Sequence, residues 1–410
     1  MPARRCSSIG GADGAMTTPA PRLRPRVALL AAFPFPLAQG SQIFVAEQAA
    51  ALAAAGADVT LFCYGGGEGG TAAQGHAPEN VSIVRAPLWL SSTPLRAGPS
   101  ARKPLADTAL LATWVRAAAE WRPAAVMAHN AEAALVAIAT RPRTRVPVIY
   151  VAHTLLRHEL SAYGPPWLAS LADAVGAALD AGIARGADAA IALSAEAATA
   201  LRRHARGPVF LLPPGLDPAA PPADAAIAAV CAAHGVTRER YALYAGNLDG
   251  YQDLDLLAEA ARRLPHVPCL VATHDPRRSA PPPLRTVRVS SAGETRALTY
   301  GCAVAILARR RPGGFPVKLL NYMEAARPIV AYARIAEGLE HGVSAELLSD
   351  GAGPAELAHA VERVLADPAR AAALGRAARA RLDGQHAWPR IAEETLSLIT
   401  ALNERRESRA

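Results

Sequence analysis

Lysine occurs twice in this 410-residue chain, at Lys103 and Lys318, although Lys and Arg together number 43. Arginine supplies nearly all of the cationic groups, so a retained lysine asks for a chemical reason. Lys318 lies in RRRPGGFPVKLLNYMEAARPIVAY, residues 309–332. Pro316 predicts a helix start there, because its missing N–H costs nothing at the first helical position. Lys318 then falls in the first turn, where the helix dipole disfavours a cation. A helix N-terminus with an ammonium beside it is a natural seat for a phosphate. The other reading is a solvated surface lysine, at a cost of about a few tenths of a kcal/mol. The spacing leaves both open. Asn321 follows at i+3 and projects from the same face as Lys318, while Leu319, Leu320 and Met323 make the core-facing side. Lys103 falls in a loop of the first half.

Asparagine is also rare, with five residues in all. Three of them, Asn130, Asn247 and Asn321, stand where a strand ends or a helix begins. His129 and Asn130 close the apolar run AAVMAHN, and His153 closes VPVIYVAH. One histidine at a strand end is commonly structural; two at successive strand ends of one sheet point toward a site. After the first strand come Gly40, which lets backbone approach a ligand, and Ser41, a good N-cap; an ordinary βα turn is the alternative. Gly246 and Asn247 follow a strand in YALYAGNLDGYQDLDLL. Asp253 and Asp255 have the spacing of an acidic metal motif, but they read as the solvated first turn of a helix whose Leu254, Leu256 and Leu257 face the core. No GxGxxG, GxxxxGK[ST], HExxH, GxSxG or CxxC pattern is present, and no metal ligand set is assigned.

The elements that must position these residues alternate between apolar strands and Ala-rich helices. RVALLAAF, SQIFVAEQAAALAAAG and ADVTLFCY form a βαβ unit, which predicts a parallel sheet. Further strands fall in VSIVRAP, AAVMAHN, VPVIYVAH, AAIALS and PVFLLPPG. After PPGLDPAAPPAD the pattern restarts with YALYAGN, PCLVATH, RTVRVS, AVAILA and PIVAYA. The Pro-rich stretch 213–222 is the expected domain boundary. The expected division is a disordered tail at 1–25, a first Rossmann-like domain at 26–215, a second at 216–385, and a returning C-terminal helix at 386–410. Whether Met1 or Met16 is the start is left open.

The bulk composition narrows the class. At 410 residues two domains are expected, and 51% hydrophobic content is that of a globular chain. The net charge of +8 suits an anionic small molecule or an acidic membrane surface. Scattered basic residues and only 5% aromatics argue against nucleic acid. Five dispersed cysteines argue against a disulfide framework and for a reducing cytoplasm. RLRPRVALLAAFPFPLAQG imitates a signal peptide, but Pro34 and Pro36 interrupt it and a buried strand explains it better. No run approaches the roughly 20 apolar residues of a membrane span.

Taken together, these motifs resemble the retaining glycosyltransferases of family four, of GT-B fold: two doubly wound Rossmann-like domains facing a cleft. The residues that carry the likeness are FPFPLAQGSQ, MAHN, PPGLD at Pro213 to Asp217, YAGNLDGYQDLDLL, GFPVKLLNYMEAARPIVA and the segment around Trp388. The resemblance implies a UDP- or GDP-sugar as co-substrate, no cofactor, and hexosyl transfer with retention. The acceptor would be a glycan, a lipid-linked molecule or a small molecule, in bacterial glycan or glycolipid synthesis. It implies that Lys318, Gly246 and Asn247 contact the diphosphate, that Gly40 offers its N–H across the cleft, and that His129 lies near the transferred sugar. Ser41, Asn130 and His153 on the first side, and Gly314, Phe315, Pro316, Val317 and Asn321 on the second, complete the expected binding set. A cytoplasmic protein, with contact at the inner face of an acidic membrane, fits this picture. Two departures stand out. Gly313 and Asn321 occupy the positions of a Glu pair common in relatives, and Asn247 and Tyr251 stand where many relatives carry Arg and Lys. A nucleotide-sugar 2-epimerase and a non-catalytic nucleotide-sugar-binding relative are the alternatives.

Overall fold

The computed structural model describes residues 24–35, 40–65, 78, 80–87, 103–163, 166–311 and 313–408. Most of the expected tail, both candidate start positions and residues 36–39 and 88–102 lie outside these residues.

Two parallel sheets account for every strand among the described residues. The first contains β1 (Arg26–Pro34), β2 (Asp58–Tyr64), β3 (Ser82–Ala86), β4 (Ala125–His129), β5 (Val148–Ala152), β6 (Ala189–Ala192) and β7 (Val209–Leu211), in the order β3-β2-β1-β4-β5-β6-β7. The second contains β8 (Ala242–Ala245), β9 (Cys269–Thr273), β10 (Arg285–Arg288), β11 (Val304–Leu307), β12 (Ile329–Tyr332) and β13 (Glu346–Leu348), in the order β10-β9-β8-β11-β12-β13. This is the α/β double-wound architecture expected of the sequence. β1 shows why its run is apolar throughout: helices cover both faces of a parallel sheet. Val27, Leu29 and Ala31 enter one core cluster, and Ala28, Leu30 and Ala32 enter the other. The apolar run that imitates a signal peptide is thus a central strand. β13 was not legible from sequence, since it is three residues long and carries Glu346, whose buried carboxylate pairs with Arg363 (2.6 Å) and Arg370 (2.7 Å).

In both sheets the strand order reverses beside the first strand, between β1 and β4 and between β8 and β11. Ligands of open α/β sheets bind outside the carboxyl ends of the strands at such switch points. The chain between the sheets is pinned by side chains. Glu324, 5% exposed, accepts two bonds from Arg296 (3.1 and 2.8 Å) and one from the Ala219 N–H (3.1 Å). Arg296 also donates to the carbonyls of Ala219 and Ala220.

The last helix, Trp388–Glu407, returns to the first sheet. Its residues pack on the helix Gly40–Ala54, with Phe44 and Trp388 ring centroids 5.4 Å apart. Trp388 Nε1 donates to Glu47 (3.1 Å), and Arg406 donates to the Arg145 carbonyl (2.6 Å). The indole lies flat against Gly215, where an added Cβ would stand 2.5–2.7 Å from three ring carbons. Gly215→Ala is therefore expected to destabilise the fold by about 1–3 kcal/mol, the range for overpacking. Thermal unfolding checks it; an unchanged midpoint would show that the return of the last helix does not depend on this contact.

Candidate active site

The carboxyl ends of β1, β4 and β5 meet those of β8 and β11 across a cavity of about 800 Å³. The two halves touch at its rim. Gly314 has φ +75, and a Cβ there would collide with the His153 carbonyl and stand 2.7 Å from Thr154 Oγ1. Glycine at this position lets the second-sheet loop close onto the end of β5. Arg334 bonds Glu196 across the same seam (3.1 Å), and Glu337 accepts from the Ala195 N–H (2.5 Å).

Lys318 Nζ donates to Tyr244 Oη (2.6 Å) and Gln252 Oε1 (3.0 Å), and lies 4.1 Å from the centroid of the Tyr244 ring. Part of the side chain faces the cavity, but its ammonium is enclosed and no carboxylate touches it. Burial first, and then the charge of Arg309, pull its pKa from 10.5 down to about 7, against the opposing pull of Asp249. Gly246, at φ +149, supplies the space: a Cβ on it would stand 2.7 Å from Nζ. Of the two readings left open by the sequence, the solvated surface lysine is not the one observed. Lys318 does fall in the first turn of a helix that starts beside Pro316, but that helix, Lys318–Glu324, is only seven residues long. The cleft wall, rather than a long helix dipole, defines the site of this cation.

The turn after β8 holds the partners of Lys318 in place. Asn247 Oδ1 accepts from Gln252 (2.8 Å), its Nδ2 donates to Asp249 (2.6 Å) and Tyr251 (3.1 Å), and its carbonyl accepts from Tyr244 Oη (2.8 Å). Asn247 thus orders the turn with its whole amide. Asp253 is not a solvated first-turn acid, since its carboxylate accepts from the Arg310 N–H (2.8 Å) and is mostly buried. Among the described residues no group of three or more His, Cys, Asp or Glu could hold a metal ion.

The histidines form an edge-to-face pair, with ring centroids 5.3 Å apart and planes at 69°. His129 is fully buried, with its Nδ1 3.0 Å from His153 Nε2. Burial lowers both pKa values, to about 4 for His153, so both rings are neutral at pH 7. His153 lines the cleft and His129 lies behind it, outside the wall. Gly40, Ser41, Asn130, Asn247, Gly314, Phe315, Pro316 and Val317 also line the cleft. Ser41 lies inside the helix Gly40–Ala54 rather than at its cap. Asn321 is exposed and is not brought to the cleft.

Several lining residues were not picked out from sequence. Arg309, 5% exposed, ends β11, donates to the carbonyls of Arg311 (3.0 Å) and Gly314 (2.6 Å), and lies over the Tyr251 ring. A run of three arginines after AVAILA was its only signal. Lys103 is not in a loop: it opens the helix Lys103–Trp121, lines the cleft and pairs with Glu132 at 2.9 Å. Tyr64, Asp107 and Glu159 stand on the same first-domain wall.

Comparison with known proteins agrees with this geometry. A family model for Glycosyltransferase Family 4 matches residues 38–220, and one for Glycosyl transferases group 1 matches residues 239–367, together well over half of the chain. No curated protein matches by sequence. Among solved structures, sucrose-phosphate synthase from Thermosynechococcus elongatus superposes with a TM-score of 0.73 at 20% identity, covering 92% of this chain and 99% of that one. HepE from Anabaena, in complex with UDP-glucose, superposes at 0.68 with 16% identity, covering 92% and 99%. A glycosyltransferase from Rickettsia africae superposes at 0.69 with 12% identity, covering 93% and 99%. The chain is a glycosyltransferase of GT-B fold, and it belongs to glycosyltransferase family four.

Proposed function

We propose that this glycosyltransferase moves a hexose from a UDP- or GDP-sugar to an acceptor hydroxyl, with retention at the anomeric carbon and without a metal or other cofactor, in bacterial glycan or glycolipid synthesis. The observation that carries the reading is the pair of cations, the half-buried Lys318 and the buried Arg309, where the ends of β8 and β11 face the cleft. A diphosphate placed there gives Lys318 the anionic partner that it lacks. The likeness to HepE, whose structures hold UDP and UDP-glucose, supports the same donor class. In this reading the acceptor oxygen forms a bond to C1 on the face from which the diphosphate leaves. The C1–O bond to the β-phosphate breaks, and the acceptor proton passes to the departing phosphate oxygen. The protein aligns the partners and stabilises the charge that develops on the diphosphate. Gly40 permits close backbone approach, Gly246 leaves room for the Lys318 ammonium, and His153 is the imidazole that faces the transferred sugar, with His129 holding it from behind. Acceptor-dependent release of nucleotide distinguishes transfer from 2-epimerisation and from simple binding.

Lys318→Ala is expected to weaken UDP or GDP binding about ten- to hundredfold, the value of a charge-assisted contact. Wild-type affinity is expected to fall as pH rises above 7, by up to roughly tenfold per unit, because binding must then take up the proton that the empty site has lost. The variant's affinity stays flat. Calorimetric titration from pH 6 to 9 measures both effects, with Arg116→Ala, at an exposed surface arginine, as control. Equal affinities for wild type and Lys318→Ala would remove the main support of the donor site. Lys103 is unsuitable as that control, since it lines the same cleft.

Lys318 and Arg309 supply the positive potential that a divalent ion would otherwise provide, so nucleotide release is expected to persist in EDTA. Activity lost in EDTA and restored by manganese or magnesium would overturn this.

The same proposal places the protein in the cytoplasm, in peripheral contact with the inner face of an acidic membrane. Cys63, Cys231, Cys269 and Cys302 are free and buried. No described helix is long and apolar enough to cross a membrane. Trp167, Leu171, Val175 and Leu179 recur every four residues and are 79%, 61%, 47% and 39% exposed. Leu171, Val175 and Leu179 make an apolar stripe along the helix Ala169–Gly186, and Trp167 extends it from the 3-10 turn Pro166–Leu168 just before that helix. Co-sedimentation with phosphatidylglycerol vesicles is expected for wild type and lost in Trp167→Ser/Leu171→Ser; no sedimentation of wild type would refute membrane contact.

A further inference from the structure

Two neighbouring pairs of strand ends meet across the seam between the domains. In one pair the loop after β11 closes onto the end of β5, where Gly314 meets the His153 carbonyl. The other pair lies one strand further out on each sheet, since β6 is beside β5 and β12 is beside β11. The chain leaving β12 carries Arg334 and Glu337; the chain leaving β6 carries Ala195 and Glu196. Arg334 bonds Glu196 at 3.1 Å, and the Glu337 carboxylate accepts from the Ala195 N–H at 2.5 Å. Between the two contacts the seam is hollow. A cavity of about 280 Å³ is lined by Gly314 and Phe315 from the first contact and by Ala195, Glu196, Arg334 and Glu337 from the second.

Ala195 opens the helix Ala195–Arg202, so its N–H has no partner within that helix. Ser194 caps the helix with its hydroxyl, which accepts from the Ala197 N–H (3.2 Å). The Ala195 N–H is left to a carboxylate of the other domain. The positive end of the helix favours that carboxylate, and the bond is charge-assisted. Glu337 has no cation beside it among the described residues. Burial raises its pKa against the pull of the Ala195 N–H, and Glu196 adds to the rise. The hydrogen bond that holds this carboxylate therefore reaches across the seam.

The rest of the junction is built differently. Where the chain crosses between the domains, the Leu216 N–H donates to the His386 carbonyl (2.8 Å) and the buried Trp388 packs on Gly215. The seam is polar instead, and Arg334 and Glu196 are both partly exposed. Exposed ion pairs add little to folding. Their location gives them a different use. The Leu193 N–H joins the Ala152 carbonyl (3.4 Å), which ties the end of β6 to the end of β5, where His153 lines the cleft. On the other side, Arg334 follows β12 as Arg309 follows β11.

We propose that Glu337 and Arg334 are positioning residues for sugar transfer: docked on the N-terminal turn of the helix Ala195–Arg202, they set the distance between the His153 edge of the first domain and the Lys318 and Arg309 edge of the second. Neither touches the substrate. They act through the strand ends beside them. The fit of the donor's sugar depends on both edges, whereas the cations for its diphosphate both lie in the second domain. The inference rests on the reading of the cleft as a nucleotide-sugar transferase site.

The full chain is titrated calorimetrically with UDP, GDP, UDP-glucose, UDP-N-acetylglucosamine and GDP-mannose, and the nucleotide and nucleotide-sugar pair that binds wild type is kept. The quantity read is the ratio of nucleotide-sugar affinity to nucleotide affinity. Glu337→Ala is expected to lower that ratio about fivefold, the scale of one hydrogen bond. Affinity for the bare nucleotide and the midpoint of thermal unfolding are expected to stay as in wild type. Glu337→Gln keeps an acceptor for the Ala195 N–H and is expected to recover part of the ratio. Arg334→Gln is expected to lower the ratio too, and serves as the check should Glu337→Ala misfold. Ser194→Ala removes the helix's own cap and leaves the seam bonds, so it is expected to lower the unfolding midpoint and leave the ratio unchanged. A ratio unmoved by Glu337→Ala and Arg334→Gln, or moved as much by Ser194→Ala, would overturn the inference. A wild type that binds no nucleotide-sugar defeats the transferase reading itself, whereas binding with an unmoved ratio defeats only the role of the seam.

Discussion

The burial of one ammonium constrains the whole site. Lys318 Nζ has a hydroxyl, an amide oxygen and an aromatic face around it, and no carboxylate. Taking a charge out of water without a counter-ion is costly, and a group so placed shifts its pKa. The surrounding residues serve this position. Gly246 leaves the space that a side chain would fill. Tyr244 is fixed by the Asn247 carbonyl, and Gln252 by the Asn247 amide oxygen. Asn247 is in turn anchored by Asp249 and Tyr251. The turn after β8, which in many family relatives presents its own cations, here shapes a socket for a cation delivered from the Lys318–Glu324 helix.

The topology brings this cation and its socket together. Both sheets reverse strand order beside their first strand, so β8 and β11 are neighbours and their carboxyl ends open into one crevice. Lys318 and Arg309 follow β11, while Gly246 and Asn247 follow β8. The Gly314 contact with His153 and Thr154 then sets the first domain close against this loop. The histidine pair is neutral at pH 7 and adds no charge to the cleft.

What the sequence reveals follows the range of the interaction concerned. The two sheets were legible because parallel strands are apolar on both faces and the alternation with helices is local. Lys318, Gly246, Asn130 and His153 were legible because strand ends and rare residue types mark them. The acidic wall was not: Asp107, Glu132 and Glu159 sit on three helices, each looking like an ordinary surface acid in its own segment. Arg309 was hidden in a run of arginines whose other members are more exposed. Asn321 misled because its i+3 relation to Lys318 does not fix what the two residues face: Leu319, Leu320 and Tyr322 are buried, Lys318 lines the cleft, and Asn321 is exposed outside it.

The same physics explains why this position keeps a lysine in a chain that otherwise uses arginine. An arginine stays protonated at any accessible pH, so burying it demands acceptors in the empty protein. Arg309 meets that demand with the carbonyls of Arg311 and Gly314. The Lys318 socket offers two acceptors and a ring face, enough for an ammonium but fewer than the five N–H donors of a guanidinium ask for, and a lysine there can release its proton near pH 7. The unfolded chain holds that proton up to about 10.5, so as pH rises from 7 to that value this residue's burden on the empty fold is progressively lifted. A diphosphate reverses the effect by restoring the charge and giving it an anionic partner. The residue is therefore tuned to the bound state: the desolvation that makes it unfavourable in the empty cleft is what strengthens its attraction to an anion once the cleft is filled.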